Sequence, residues 1–136
     1  MLDKEAQYSL SAYRLERAVS DLEDAELLFA NAKYHSSVTR SYYAIFNSLR
    51  AILATEGVDF KKHSAVISYF QRQYVKTGIF DNEISDYARD AFAVRNSSDY
   101  KDFYIVSEED ARLQIENANT VIEVVKKYLS GKNSKK

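Results

Sequence analysis

Proline is missing from this 136-residue chain, and glycine occurs only three times. These two residues interrupt helices most strongly, and the tight turns of β-hairpins depend on them. Hydrophobic residues make up 46% of the chain, which is long enough to bury a core of its own. The sequence therefore predicts an all-α fold, an up-and-down bundle of four to five helices that forms a single domain over residues 1–136.

Apolar residues recur every three or four positions over five segments, and this is the period of one helix face. In the second segment they cover most of the circumference, so we expect that helix to be central. A core of about residues 8–130 is expected, with residues 131–136 as a frayed basic tail. The predicted helices cover about residues 8–32, 37–56, 64–76, 81–95 and 107–131.

The predicted helix ends follow from local sequence. Gly57 is expected to cap the second helix in a left-handed conformation, and Gly78 to stop the third. Ser107, followed by three acidic residues, is typical of a helix N-terminus, and Gly131 is expected to close that last helix. The turn after Ala32 contains neither glycine nor proline and must be tight.

Composition excludes several kinds of chemistry. The chain has no cysteine, so disulfides, thiol catalysis and thiolate metal sites are ruled out. Neither His35 nor His63 stands three residues after a glutamate, which excludes a di-iron bundle, and the isolated glycines form no phosphate loop. We expect no metal and no cofactor. No apolar run approaches the roughly 20 residues of a membrane span, and the N-terminus lacks a signal-peptide core, so a cytoplasmic protein without membrane contact is expected.

Charge is unevenly distributed along a chain whose net charge is only -1. Residues 33–78 carry seven basic and two acidic side chains, whereas residues 1–32 carry three basic and seven acidic ones. A polyanion could find a basic face on such a protein. Alternatively, helices of opposite charge pair with each other inside the molecule.

Arg95 interrupts an apolar stripe. Ile84, Ala88 and Ala91 precede it at helical spacing, so its guanidinium continues a buried face and needs an anionic partner or a cleft. Asp99 meets Arg95 at i,i+4 if the helix persists, and folds back toward it if the helix ends earlier. The pair either fixes a helix end or forms part of a binding site.

A second polar line lies on the central helix. Arg40, Tyr43, Asn47 and Arg50 follow one another at spacings of three, four and three, so they share one edge. The line must face a cleft, a subunit interface or Arg95. Because one small bundle cannot readily cover this line and the apolar surround of the central helix, we expect a stable homodimer. Together with His63 and Tyr100, these residue types suit phosphate recognition, base stacking or proton transfer at a ribose-phosphate linkage.

Three motifs, in this order, resemble the HEPN (higher eukaryotes and prokaryotes nucleotide-binding) domain, closest to its small stand-alone prokaryotic branch. They are Arg40-Ser41-Tyr42-Tyr43 to Asn47, His63 at the head of the third helix, and Arg95-Asn96 to Tyr100. The resemblance implies a helical bundle that is often dimeric. Many members are metal-independent ribonucleases, and several are toxins or partners of a minimal nucleotidyltransferase.

The resemblance also implies a site. The family motif is an Arg followed by a His four to six residues later, but here Tyr100 stands five residues after Arg95. We therefore expect RNA or nucleotide binding with slow or no cleavage, because a phenol of ordinary pKa is a poor base at neutral pH. The alternative is a non-catalytic, dimeric protein-interaction module. Expected catalytic residues are Arg95, Asp99 and Tyr100, and expected ligand-binding residues are Arg40, Tyr43, Asn47, Arg50, His63 and Asn96.

Overall fold

The structure, a computed structural model, describes residues 3–100, 102 and 104–133, without the side chains of Tyr100 and Asn133. It confirms the predicted all-α bundle. A π-helical turn, Gln71–Val75, continues the third helix. The α-helices are α1 (Lys4–Ala30), α2 (Tyr34–Ala54), α3 (His63–Phe70), α4 (Asn82–Tyr100) and α5 (Glu108–Asn133). Within the described residues, no helix has both the length and the apolar character to cross a membrane.

Helix α2 is central, as its apolar circumference predicts. Among the helices as described, it packs against α1, α3, α4 and α5, whereas α1 contacts only α2 and α5. Burying each large apolar side chain stabilises the fold by roughly 1.5–3 kcal/mol, so this helix organises the core. The residues of its predicted stripe are at most 1% exposed: Val38, Tyr42, Ile45, Leu49 and Ile52.

The first helix begins and ends through local contacts. The Asp3 carboxylate accepts a 2.8 Å hydrogen bond from the amide of Ala6, so α1 starts at Lys4, earlier than predicted. At its other end Ala32 adopts φ 59°, and the amide of Lys33 donates to the carbonyl of Leu28 at 2.8 Å. The tight turn without glycine is confirmed, and α2 follows at once.

The glycine predictions are confirmed at two positions and wrong at the third. Gly57 and Gly78 adopt φ 69° and 86°, the left-handed conformation that ends a helix. Gly131 does not, and α5 runs through it to Asn133. At the start of α5 the amide of Asp110 donates to the hydroxyl of Ser107 at 3.0 Å, which confirms the predicted cap. Residues 134–136 of the expected tail lie outside the described residues.

Helix α4 persists one turn beyond its predicted end at Arg95. The Ser98 hydroxyl donates to the Arg95 carbonyl at 3.0 Å, and Asp99 pairs with Arg95 at i,i+4. The segment after α4 then returns to the bundle, where Val106 packs against Val38 of α2. The end of α4 consequently lies beside the beginning of α2, and this junction holds the candidate site.

Candidate functional site

Arg95 lies at the centre of the site. Ile84, Ala88 and Ala91 are each 1% exposed, which confirms the stripe that leads to it, and the Arg95 side chain is 19% exposed. Its Nε atom is 3.0 Å from Asp99 Oδ2, close enough for an ion pair, although the N–H is not aimed for a hydrogen bond. With the side chains that the structure describes, the terminal nitrogens make only long contacts, 3.4 Å to Asn96 Oδ1 and 3.5 Å to the Tyr43 hydroxyl.

Two tyrosine rings of α2 support the guanidinium. Its central carbon lies 5.6 Å from the ring centre of Tyr42 and 5.7 Å from that of Tyr43. Arg40 approaches the Tyr43 ring as well, at 4.9 Å. Cations over aromatic faces are stabilised by about 0.5–2 kcal/mol, more when desolvated. Two arginine side chains thus lie against one tyrosine ring, and each is also paired with a carboxylate, Arg95 with Asp99 and Arg40 with Asp21.

His63, from the start of α3, also lies against these rings. Its Nδ1 is 2.7 Å from the Tyr42 hydroxyl, and its ring centre is 4.1 Å from that of Phe46. Burial, followed by the positive charges of Arg95 and Arg50, lowers the pKa of His63. Burial also raises the pKa of the Tyr42 phenol, so that hydroxyl keeps its proton. The sequence left open whether His63 comes near Arg95; the structure places both against Tyr42 and Tyr43.

Asp99 connects Arg95 to a residue that the sequence analysis missed. Asp99 Oδ1 is 3.3 Å from Nε2 of His35, and the same nitrogen is 2.9 Å from the carbonyl oxygen of Ser98. His35 belongs to the first turn of α2, sixty-four positions from Asp99 in the sequence. The position of His35 in the sequence does not indicate this contact, because only the packing of α4 against α2 brings His35 and Asp99 together.

The buried Asp21 of α1 accounts for two members of the polar line. Its side chain is 4% exposed, and its oxygens accept hydrogen bonds from Arg40 at 3.1 Å and from Asn47 at 2.9 Å. The sequence analysis missed Asp21, although a lone acid facing a basic helix is a recognisable signal. Arg40 therefore joins Asp21 and the Tyr43 ring, and Asn47 points to α1.

Arg50 lies farther along α2, beside a cleft. It pairs with Asp59 at 2.9 Å, and Arg14 of α1 pairs with the same carboxylate at 3.1 Å. Burial acts to raise the pKa of Asp59, but hydrogen bonds from Arg50 and the amide of Phe60 bring it below its ordinary value. The open cleft beside this pair has a volume of about 390 Å³ and is lined by Phe46, Arg50, Asp59, Phe60, Lys61 and His63.

The expected site residues thus fall into two groups. One surrounds Arg95, and the other extends from His63 to the cleft at Arg50. The side chain of Tyr100 lies outside the described part of the chain. Across the residues that are described, no group of three or more His, Asp or Glu side chains is placed to hold a metal ion. The Arg95 group comprises Arg40, Tyr43, Asn96 and Asp99.

The sequence of this chain is similar to those of known proteins. Residues 11–128 match the family model of the HEPN domain. A UPF0332 protein of Thermotoga maritima is 35% identical over 117 residues, which is 86% of this chain and 89% of that protein. Two proteins of Methanocaldococcus jannaschii are each 32% identical: "Putative toxin MJ0142", over 88% of this chain and 81% of that protein, and "Putative toxin MJ0605", over 95% of both.

The family match covers nearly the whole helical bundle, from residue 11 in α1 to residue 128 in α5. It includes Arg95 and every residue that contacts it in the described structure. The chain belongs to the HEPN domain family.

Proposed function

We propose that this protein binds RNA through Arg95 and is the toxin-like component of a two-component module whose other member is a minimal nucleotidyltransferase. One observation supports the binding most directly. The guanidinium of Arg95 is largely buried against two tyrosine rings, yet among the described side chains its terminal nitrogens make only the 3.4 Å and 3.5 Å contacts. These N–H groups remain available to a phosphate, which accepts two of them in parallel.

The surroundings of Arg95 suit a single-stranded nucleic acid. Arg40 adds a second positive charge at Tyr43, and the cleft at Arg50 offers aromatic rings beside cationic groups. Stacking on such rings contributes about 1–3 kcal/mol per base, while arginines hold the backbone. The names of the two M. jannaschii relatives support the toxin-like role. Cleavage at this site is metal-independent and slow, because a tyrosine replaces the histidine of the family motif.

A non-catalytic protein-interaction module is the second candidate, and Asp21 favours it. Asp21 satisfies Arg40 and Asn47 inside the chain, so these two side chains have a structural role without any ligand. The Arg95–Asp99 pair could equally fix the end of α4. The two candidates differ in what they require of the guanidinium at position 95.

Arg95→Lys separates the candidates, since lysine keeps the charge but loses the two-pronged donor geometry. If Arg95 holds phosphate, we expect the affinity for a labelled single-stranded RNA, measured by fluorescence anisotropy in EDTA, to fall about tenfold, or 1.4 kcal/mol, while the melting temperature changes little. Arg89→Lys, on an exposed part of the same helix, is the matched control and should change neither. A lower melting temperature with unchanged RNA affinity would assign Arg95 a purely structural role.

A further inference from the structure

His35 is held through one of its two ring nitrogens. Its Nε2 faces two atoms that only accept hydrogen bonds, the Ser98 carbonyl at 2.9 Å and the Asp99 carboxylate at 3.3 Å. That nitrogen must therefore carry a hydrogen. In a neutral imidazole the other nitrogen, Nδ1, then holds the lone pair, and none of the described residues forms a hydrogen bond with it.

The carboxylate that orients His35 also pairs with Arg95. Asp99 Oδ1 contacts the imidazole and Asp99 Oδ2 contacts Arg95 Nε, so one side chain spans the two groups. A carboxylate that holds one imidazole nitrogen fixes the ring and leaves the other nitrogen to accept a proton, which is the arrangement of general bases in hydrolytic sites. The His35 side chain is 53% exposed, and a substrate can reach it.

We propose that His35 is the general base of the Arg95 site and substitutes, from another helix, for the histidine that the family motif places after the arginine. This inference rests on the proposed RNA binding. With a phosphodiester on the terminal nitrogens of Arg95, His35 Nδ1 takes the proton of the adjoining ribose 2'-hydroxyl. The 2'-oxygen bonds to phosphorus, and the bond from phosphorus to the 5'-oxygen breaks.

The step is balanced without a metal or redox partner. The leaving 5'-oxygen takes a proton from solvent water, and the imidazolium returns its proton to solvent. The products are a 2',3'-cyclic phosphate and a 5'-hydroxyl. Arg95 stabilises the charge that develops on the phosphate oxygens. A general base of this kind typically accelerates a reaction 10²- to 10⁴-fold.

Other ionisable groups surround His35 and bear on any pH profile. The Tyr34 hydroxyl donates to Glu108 of α5 at 2.8 Å and is thereby held away from the imidazole. Asp99 of α4 contacts His35 and pairs with Arg95. Three further ionisable side chains line the same cleft as His35: Lys33, Tyr34 and Tyr104.

The test compares wild type with His35→Ala in EDTA, on a DNA oligonucleotide that contains a single ribonucleotide. The all-DNA oligonucleotide serves as the uncleavable probe for affinity. We expect wild type to produce the 2',3'-cyclic phosphate and His35→Ala to lose about 10²- to 10⁴-fold in rate with unchanged affinity. Added imidazole should restore cleavage in His35→Ala only. Ser36→Ala, an exposed neighbour on the same turn, should match wild type.

The outcomes are separable. Three results would each overturn the role of His35 and leave RNA binding standing. His35→Ala could cleave at the wild-type rate, it could lose cleavage that imidazole does not restore, or wild type could bind without any cleavage. If wild type binds neither this probe nor a single-stranded RNA, the proposed function is overturned, and the role of His35 with it.

Discussion

At the scale of single residues, the environment of Arg95 shows how a largely buried cation is stabilised. Removing a guanidinium from water is costly unless its N–H groups find partners. Asp99 supplies an opposite charge, and the faces of Tyr42 and Tyr43 supply further attraction. These contacts involve the Nε atom of the guanidinium and the side of the guanidinium that lies toward the two tyrosine rings. The two terminal nitrogens keep donors that a phosphate would satisfy better than Asn96 or Tyr43 does.

The pKa of His63 reports on Arg95. Burial and the charges of Arg95 and Arg50 lower this pKa, so we expect NMR titration of the ring to give a value below the ordinary 6.5. Arg95→Met removes one charge and should raise the pKa, whereas Arg89→Met should leave it unchanged. An identical His63 pKa in wild type and Arg95→Met would show that the guanidinium does not act on the ring.

The sign of the linked stability follows from the same shift. Because folding lowers the pKa of His63, the unfolded chain binds the proton more readily than the folded chain. The contribution of neutral His63 to stability is therefore fully present above pH 6.5 and declines as the pH falls below it, toward the lower pKa of the folded state. In urea unfolding at several pH values, the loss of stability that comes from protonation of His63 should be missing in His63→Gln.

At the scale of helices, the sequence predicted the elements better than the contacts between them. Periodicity located all five helices and the central role of α2, since burial of an apolar face is a local signal. The extra turn of α4 was left open, because Ser97 and Ser98 have weak helix preference; the helix persists through both, and Arg95 and Asp99 pair at i,i+4. His35 and Asp21 were missed for a related reason: their roles arise only when separate helices pack together.

The turn between α1 and α2 carries a measurable strain. Ala32 is an exposed residue in the left-handed region, at φ 59°, where a Cβ atom costs roughly 1–2 kcal/mol. We expect Ala32→Gly to stabilise the protein by about 1 kcal/mol in urea unfolding. Ala12→Gly, at an exposed position inside α1, should destabilise it by about 0.5–1 kcal/mol. Destabilisation by both changes would mean that the turn holds no such strain.

At the scale of the whole molecule, basic and acidic side chains from different parts of the chain pair within the bundle. Asp21 of the acidic first helix holds Arg40 of the basic segment, as one of the two interpretations of the charge pattern required. Asp59 likewise holds Arg14 and Arg50. The polar line of α2 is thus largely covered by its own chain, and it no longer serves as an argument for a subunit interface. The remaining exposed apolar side chains must carry that argument.

The prediction of a homodimer now rests on the segment that follows α4. Ile105 is 85% exposed, and together with Tyr104 it borders an open cleft of about 380 Å³ that also includes His35. A large apolar side chain this exposed favours association, and a net charge of -1 opposes it little. A symmetric contact through this segment would place two Arg95 sites side by side.

We therefore expect sedimentation equilibrium at tens of micromolar to show a dimer for wild type and a monomer for Ile105→Glu, because an isologous contact would bury the introduced charge twice. Ile79→Glu is the matched control, since Ile79 is also exposed but precedes the opposite end of α4, about 20 Å from Arg95. A monomeric wild type would remove the dimer from the proposed function. A dimer that survives Ile105→Glu but not Ile79→Glu would place the contact at the other end of the bundle, where the two arginine sites could not act together.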